Sequence, residues 1–239
     1  MRPEYGETWV YESIVGALPG IDVSDRLAVA VQLLGFELAV VVVAWRYGLW
    51  SAVLAGTAAV VVAAAGSWLM LEYSRAVRAL PTPPAYQRLL FGSSIEVVLG
   101  VLTFVAFVTY LFVYDPQTGG ESLLSSLLGS EPPPVAVFVL LLVCWDVVYR
   151  IGTCWWATVA GLWRALDYGF DAETTARYAR VDAMNVRFAA VQLLLVPFVV
   201  DRPLLVAALS GHVLAVVAVA TLSVVLQRRA VTADPSVRR

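Results

Sequence analysis

The stretch 137–163, VFVLLLVCWDVVYRIGTCWWATVAGLW, decides the fold class. About 20 consecutive apolar residues in a helix cross the ~30 Å hydrocarbon core of a bilayer, and this stretch exceeds that length. It carries two opposite charges, Asp146 and Arg150, one helical turn apart. Ionisable side chains inside a membrane span avoid lipid and face a protein interior or water. The stretch therefore predicts a transmembrane helix with one polar face.

The whole chain has the composition of an integral membrane protein. It has 239 residues, of which 60% are hydrophobic and 14% charged, and its mean hydropathy is +0.80. Soluble domains are nearer a quarter charged. We therefore expect an all-α, polytopic six-helix transmembrane bundle, flanked by tails at residues 1–26 and 228–239. The six apolar runs are 27–45, 49–71, 89–114, 135–156, 186–200 and 203–227.

The arginines predict the orientation of the spans. Loops rich in Arg and Lys stay on the cytoplasmic side of a membrane. Arg150 lies inside a span, and one set of connections holds only Arg46 and Arg202. The two termini and the connections on their side hold the other thirteen: Arg2, Arg26, Arg75, Arg78, Arg88, Arg164, Arg177, Arg180, Arg187, Arg228, Arg229, Arg238 and Arg239. We expect a multi-pass protein of the plasma membrane with both termini in the cytoplasm.

Three segments outside the spans have patterns of their own. The tail around Trp9–Leu18 is either a short helix on the inner membrane surface or a partly ordered tail. Residues 171–187 begin with an aspartate cap and continue with good helix formers, which predicts a helix leading into the fifth span. The loop 115–134 contains SLLSSLL, which predicts one amphipathic helical turn between glycine and proline breakers.

Several classes of function are disfavoured. A net charge of −2 argues against a nucleic-acid partner. All 16 basic residues are arginine, which excludes chemistry at a lysine amine. Cys144 and Cys154 lie about 15 Å apart along one helix, too far for a disulfide. With a single histidine and no recognisable catalytic motif, we expect no metal site and no cofactor, and an enzyme is the less favoured class.

The ionisable residues inside the spans are the candidate functional residues. Counted from the span ends, one layer lies near the midplane and contains Glu37, Asp146 and His212. A lower layer contains Glu96 and Arg150, with Tyr149 beside them. A secondary polar layer contains Gln32, Gln192 and Arg187. Asp146 and Arg150 form an i,i+4 pair in the favourable order, and Glu96 is expected to be the cross-helix partner of Arg150 because their depths match.

Two interpretations of these charges remain open. Three intramembrane acids against one arginine leave surplus negative charge, which favours protons or cations over anions. The first interpretation is a small proton- or cation-handling transporter or channel, with an ion or small solute as its partner. The second is a non-catalytic module that binds lipid or a protein partner, whose buried charges only fix the helix register. The small residues Ala207, Gly211 and Ala215 suit close helix packing within the chain or in a homo-oligomer.

The all-arginine composition and the segment CWDVVYRIGTCWW resemble those of uncharacterised multi-pass membrane proteins of halophilic archaea. The resemblance implies the membrane fold and carries no activity to any residue.

Overall fold

The computed structural model describes Trp9 and residues 24–233, and every regular element in this part of the chain is helical. The N-terminal tail, except Trp9, and residues 234–239 lie outside the described residues, and so does the expected surface helix of the tail. The helices, in chain order, are α1 (Asp25–Tyr47), α2 (Trp50–Arg78), α3 (Pro84–Gly92), α4 (Ile95–Thr109), α5 (Leu123–Leu128), α6 (Pro134–Asp167), α7 (Ala172–Gln192) and α8 (Pro203–Ala233).

Within residues 24–233, six helical segments are long and apolar enough to cross a membrane. The predicted all-α fold with six such helices is therefore confirmed. Most of the helices are longer than the apolar runs, since polar residues at their ends continue the helical hydrogen bonding. The segments are Arg26–Tyr47, Trp50–Arg78, Pro84–Gln117, Pro134–Asp167, Ala172–Phe198 and Pro203–Thr232.

Local sequence signals set the helix boundaries. Helix α1 ends at Gly48, whose φ of 72° is the left-handed conformation that glycine adopts without steric cost. Helix α7 begins after Asp171, as predicted: the Thr174 backbone N–H donates to the Asp171 carboxylate at 2.7 Å, which lowers the pKa of that carboxyl. The predicted turn in SLLSSLL is α5, capped by Ser122.

The third span is not one straight helix. Helix α3 ends at Ser93, and Ser94 has a φ of 54°, so α4 starts afresh at Ile95. At its other end α4 continues through a π-helical turn, Tyr110–Tyr114, and a 3-10 turn, Asp115–Gln117. Helix α7 likewise ends in a 3-10 segment, Leu193–Phe198, which contains Pro197.

Helix α6 occupies the centre of the bundle and packs against α2, α4, α7 and α8. Two glycines permit its closest contacts. A Cβ on Gly152 would lie 3.1 Å from the backbone nitrogen of Gly100 on α4, and one on Gly66 of α2 would lie 2.9 Å from the Cβ of Arg150. Any larger residue at either position would push α6 away from its neighbour.

Helices α1 and α8 are peripheral, with long apolar side chains such as Leu34, Leu38 and Leu214 facing outward. On α8 the small residues Ala207 and Gly211 are exposed, and a Cβ on Gly211 would meet no atom within 4 Å. Ala207 and Gly211 therefore do not serve close packing against the described part of the chain. Their use between copies of the chain stays a prediction.

Candidate functional site

Asp146 and Arg150 belong to a closed ring of four side chains. Arg150 Nη2 lies 2.8 Å from Asp146 Oδ1, and Arg150 Nε donates to Ser67 Oγ at 2.9 Å. Ser67 donates in turn to Gln32 Oε1 at 2.7 Å, and Gln32 Nε2 donates to Asp146 Oδ2. Gln32 is on α1, Ser67 on α2 and the ion pair on α6. This arrangement, called here the Asp146 ring, joins three helices.

Glu96 does not pair with Arg150, and that expectation is wrong. Its side chain is fully buried, and neither carboxyl oxygen has a hydrogen-bond partner in the described part of the chain. Glu96 lies in the first turn of α4, which begins after the break at Ser94. Arg150 instead finds its acid one turn away on its own helix.

The three residues expected at the midplane have separate surroundings. Thr57 donates to Glu37 Oε1 at 2.7 Å, while Glu37 Oε2 is buried without a partner among the described residues. Asp146 is held in its ring. His212 packs against Trp155 with ring centroids 6.2 Å apart. No hydrogen bond or ion pair within residues 24–233 joins the three, so they are not one cluster.

The remaining candidate residues also have separate surroundings. Tyr149 is buried and stacks on Trp145 at 6.0 Å. Gln192 is fully buried, and neither polar atom of its amide is hydrogen-bonded in the region the structure covers. Arg187 faces outward. Of the three residues in the secondary polar layer, Gln32 alone belongs to the Asp146 ring.

A second buried ion pair was not anticipated from the sequence. Arg164 Nη2 lies 2.7 Å from Asp182 Oδ2, and both side chains are almost completely enclosed. Ser223 of α8 donates to the same Asp182 oxygen at 3.0 Å. With its amide oxygen turned to the guanidinium, Gln227 accepts from Arg164 Nε and Nη2 at 3.1 Å. The pair therefore joins α6, α7 and α8.

Three tyrosines complete this Arg164 cluster. Arg164 Nη1 donates to the Tyr86 hydroxyl at 3.1 Å, and that hydroxyl lies 3.2 Å from the hydroxyl of Tyr73. The ring of Tyr178 lies 4.0 Å from the guanidinium carbon, close enough for a cation–π contact. Trp9 stacks on Tyr73 with ring centroids 5.7 Å apart, which places Trp9 in the same region.

The segment 171–187 was predicted as a helix leading into the fifth span, and the structure shows that one face of it is buried. The buried residues recur at helical spacing, and this spacing is the sequence pattern that could have indicated a buried face. They include Thr174, Tyr178, Val181, Asp182, Asn185 and Phe188. Asp182 on that face needs a cation, and Arg164 is the only arginine on α6 besides Arg150. Arg164 had been assigned to the polar connection after the fourth span, although α6 runs on to Asp167.

A third polar group lies at the end of the bundle that carries α5. Arg202 Nη1 lies 3.0 Å from Asp115 Oδ1, and Tyr110 donates to the same oxygen at 3.2 Å. Asp115 Oδ2 accepts from the backbone N–H of Leu123 at 2.5 Å, and Arg202 Nη2 donates to the carbonyl of Glu121 at 2.5 Å. These bonds hold α5 in place across the helix ends.

A cavity of about 550 Å³ lies beneath α5. It is lined by α1, α2, α4, α5, α6, α8 and the segment 195–199, and its walls are mostly Leu, Val, Ala and Phe. No described lining residue is Asp, Glu or Arg. Ligand pockets are commonly about 300–1,000 Å³ and mainly apolar with a few polar groups, and this cavity fits that description. Its polar lining residues include Thr103, Tyr110, Cys144 and His212.

The charged groups therefore lie outside the cavity. Asp146, Arg150, Glu37 and Glu96 are absent from the lining, although α6 contributes neighbours such as Val147 and Ile151. In the described residues no group of three or more His, Cys, Asp or Glu side chains is placed to hold a metal ion. The arrangement provides an apolar binding space and, apart from it, buried polar connections between helices.

Fold and site together indicate an α-helical, multi-pass membrane protein with buried ion pairs and an internal apolar cavity. The chain belongs to a family of unknown function, DUF7530, whose model matches residues 4–223. No curated protein and no solved structure matches the chain.

Proposed function

We propose that the protein is a non-catalytic membrane module that holds a lipid-like molecule in its apolar cavity. The Asp146 ring and the Arg164 cluster fix the register of the helices around that cavity. This proposal follows the second interpretation of the intramembrane charges.

One observation carries the proposal, namely that the cavity and the charges are separated. A pathway for ions needs carboxylates or backbone oxygens along a wet passage. Here the cavity of about 550 Å³ is lined mainly by hydrocarbon, and Asp146 is already bonded to Arg150 and Gln32 outside it. An apolar space of this size favours an apolar occupant, since water gains few hydrogen bonds there.

The arginine distribution supports an orientation for this module. With both termini in the cytoplasm, α5 and Arg202 are on the outer side and the cavity lies in the outer half of the membrane. The Arg164 cluster is then near the inner surface. Outward-facing arginines such as Arg177 and Arg187 would contact anionic lipid on that side.

The test is a matched pair of phenylalanine variants on α2. Ala52 lines the cavity, whereas Leu54 faces outward with 69% of its surface exposed. The wild-type protein, Ala52→Phe and Leu54→Phe are purified in mild detergent, and bound lipids are extracted and quantified by mass spectrometry. We expect about one lipid-like molecule per chain in wild type and Leu54→Phe, and a loss in Ala52→Phe. Equal lipid content in all three proteins would overturn the proposal.

A second candidate function, proton or cation transport, is favoured by one specific observation. Both carboxyl oxygens of Glu96 and one of Glu37, Oε2, are buried without hydrogen-bond partners among the described residues, and intramembrane carboxyl groups of this kind often mark a pathway for protons or ions. The test is flux into proteoliposomes with a pH-sensitive dye and a panel of cations. Transport predicts flux in wild type that falls in Glu96→Gln, Glu37→Gln and Asp146→Asn. Absence of flux above empty liposomes would reject it.

A further inference from the structure

His212 lies in the wall of the cavity, and its Nε2 is buried without a hydrogen-bond partner in the described part of the chain. It projects from α8 and packs edge-on against Trp155, which also lines the cavity. A neutral imidazole has one donor and one acceptor nitrogen. In hydrocarbon surroundings Nε2 remains unsatisfied unless a bound molecule supplies a partner.

The other polar lining groups are less suited to form a hydrogen bond with a bound molecule. The Tyr110 hydroxyl already donates to Asp115. The Cys144 thiol forms at best a weak hydrogen bond. Thr103 is on α4 and belongs to an exposed part of the lining. His212 is thus the group best placed to contact a polar atom within the apolar space.

From this geometry we infer that the occupant is a neutral amphiphile, a long hydrocarbon with a single hydroxyl or carbonyl oxygen that hydrogen-bonds His212. The inference rests on the proposed lipid-binding function. A charged headgroup is disfavoured because none of the described lining residues is an acid or an arginine to balance it. A pure hydrocarbon would leave the imidazole unsatisfied.

The position of His212 sets where that oxygen lies. His212 is nine residues after Pro203, where α8 begins, so it is about 14 Å along the helix at 1.5 Å per residue. The end of the cavity under α5 is formed by Leu123, Leu127 and Leu128. The oxygen is therefore at the deep end of the cavity, and the hydrocarbon extends from it towards α5.

The experiment compares three probes of equal chain length, hexadecan-1-ol, hexadecane and hexadecanoate. Each is added to delipidated wild-type protein in detergent, and bound copies are counted by native mass spectrometry. The alcohol should bind about three- to tenfold more tightly than the alkane, the range expected for one added hydrogen bond, and hexadecanoate should bind more weakly than the alcohol. His212→Phe should remove the preference for the alcohol, whereas His212→Gln and Thr103→Val should retain it.

The outcomes separate this inference from the function on which it rests. If no probe binds wild type, or if Ala52→Phe binds all probes as wild type does, lipid binding in the cavity is wrong. If the probes bind in the cavity but alcohol and alkane bind equally, the lipid-binding function stands and the role of His212 is wrong. Persistence of the alcohol preference in His212→Phe, or tighter binding of hexadecanoate, would also overturn this inference.

Discussion

Arg164 of α6 and Asp182 of α7 form an ion pair of 2.7 Å in which neither side chain reaches the surface appreciably. Asp182 also accepts from Ser223 of α8, and Arg164 donates to Tyr86 of α3. One pair of charges thus links four helices. Removing one member of such a pair leaves an uncompensated buried charge, which typically costs more than the pair itself contributes.

The first prediction concerns this pair. Asp182→Leu should lower the free energy of unfolding by about 3–5 kcal/mol, because Arg164 then loses its only carboxylate partner among the described residues. The double variant Arg164→Met, Asp182→Leu should recover part of that loss, since both charges are gone. Unfolding by SDS in mixed micelles, followed by circular dichroism, measures both. A double variant at least as unstable as Asp182→Leu would contradict the explanation.

The second prediction concerns the close approach of α2 to α6 and α7. A Cβ on Gly66 would lie 2.8 Å from the ring of Phe188 and 2.9 Å from the Cβ of Arg150. Gly66→Ala should therefore destabilise the protein by about 1–3 kcal/mol through overpacking. Gly35→Ala on α1 is the matched control, because its Cβ would meet nothing within 4 Å. The control should be neutral or stabilising by up to about 1 kcal/mol in the same unfolding assay.

The third prediction separates the two intramembrane acids. Glu96 has no polar partner in the described chain, so we expect the carboxyl to be uncharged and Glu96→Gln to change stability by less than about 0.5 kcal/mol. Asp146→Asn removes the charge that faces Arg150 and should cost about 2–4 kcal/mol. Thermal unfolding in detergent compares the two. A larger loss for Glu96→Gln than for Asp146→Asn would show that Glu96 has an ionic partner after all.

The fourth prediction concerns the bonds that hold α5 over the cavity. Arg202→Gln removes the contacts to Asp115 and to the Glu121 carbonyl. Backbone amides in 121–129 should then exchange with deuterium about tenfold faster, corresponding to about 1.4 kcal/mol of local stability. Arg46→Gln is the control, because the structure shows Arg46 only beside the ring of Tyr47. Unchanged exchange in Arg202→Gln would mean that packing of the leucines alone holds α5.

Hydrophobicity made the helices predictable. Apolar runs of bilayer length determined six spans, and the cap at Asp171 and the short helix in SLLSSLL were found as expected. The i,i+4 pair of Asp146 and Arg150 was also predictable, because both residues lie on one helix whose geometry is regular. Orientation in the membrane stays a prediction.

Contacts between helices were harder to predict. The partner assigned to Arg150 was wrong because Arg150 bonds Asp146 and Ser67 instead, and similar depth in the membrane does not show which side chains face each other. Asp182 was missed because a polar helix face can be buried when another helix supplies its partner. The cavity depends on how several helices are spaced, and that spacing is a property of packing and not of any one segment.

The most direct measurement of the central claim is an experimental structure of the protein purified with its native lipids and placed in nanodiscs. The account predicts one elongated density inside the cavity, continuous from the region beneath α5 to within hydrogen-bonding distance of the His212 ring. A cavity that contains a chain of ordered waters or ions leading to Asp146 or Glu37, with no elongated density, would contradict it and would favour transport instead.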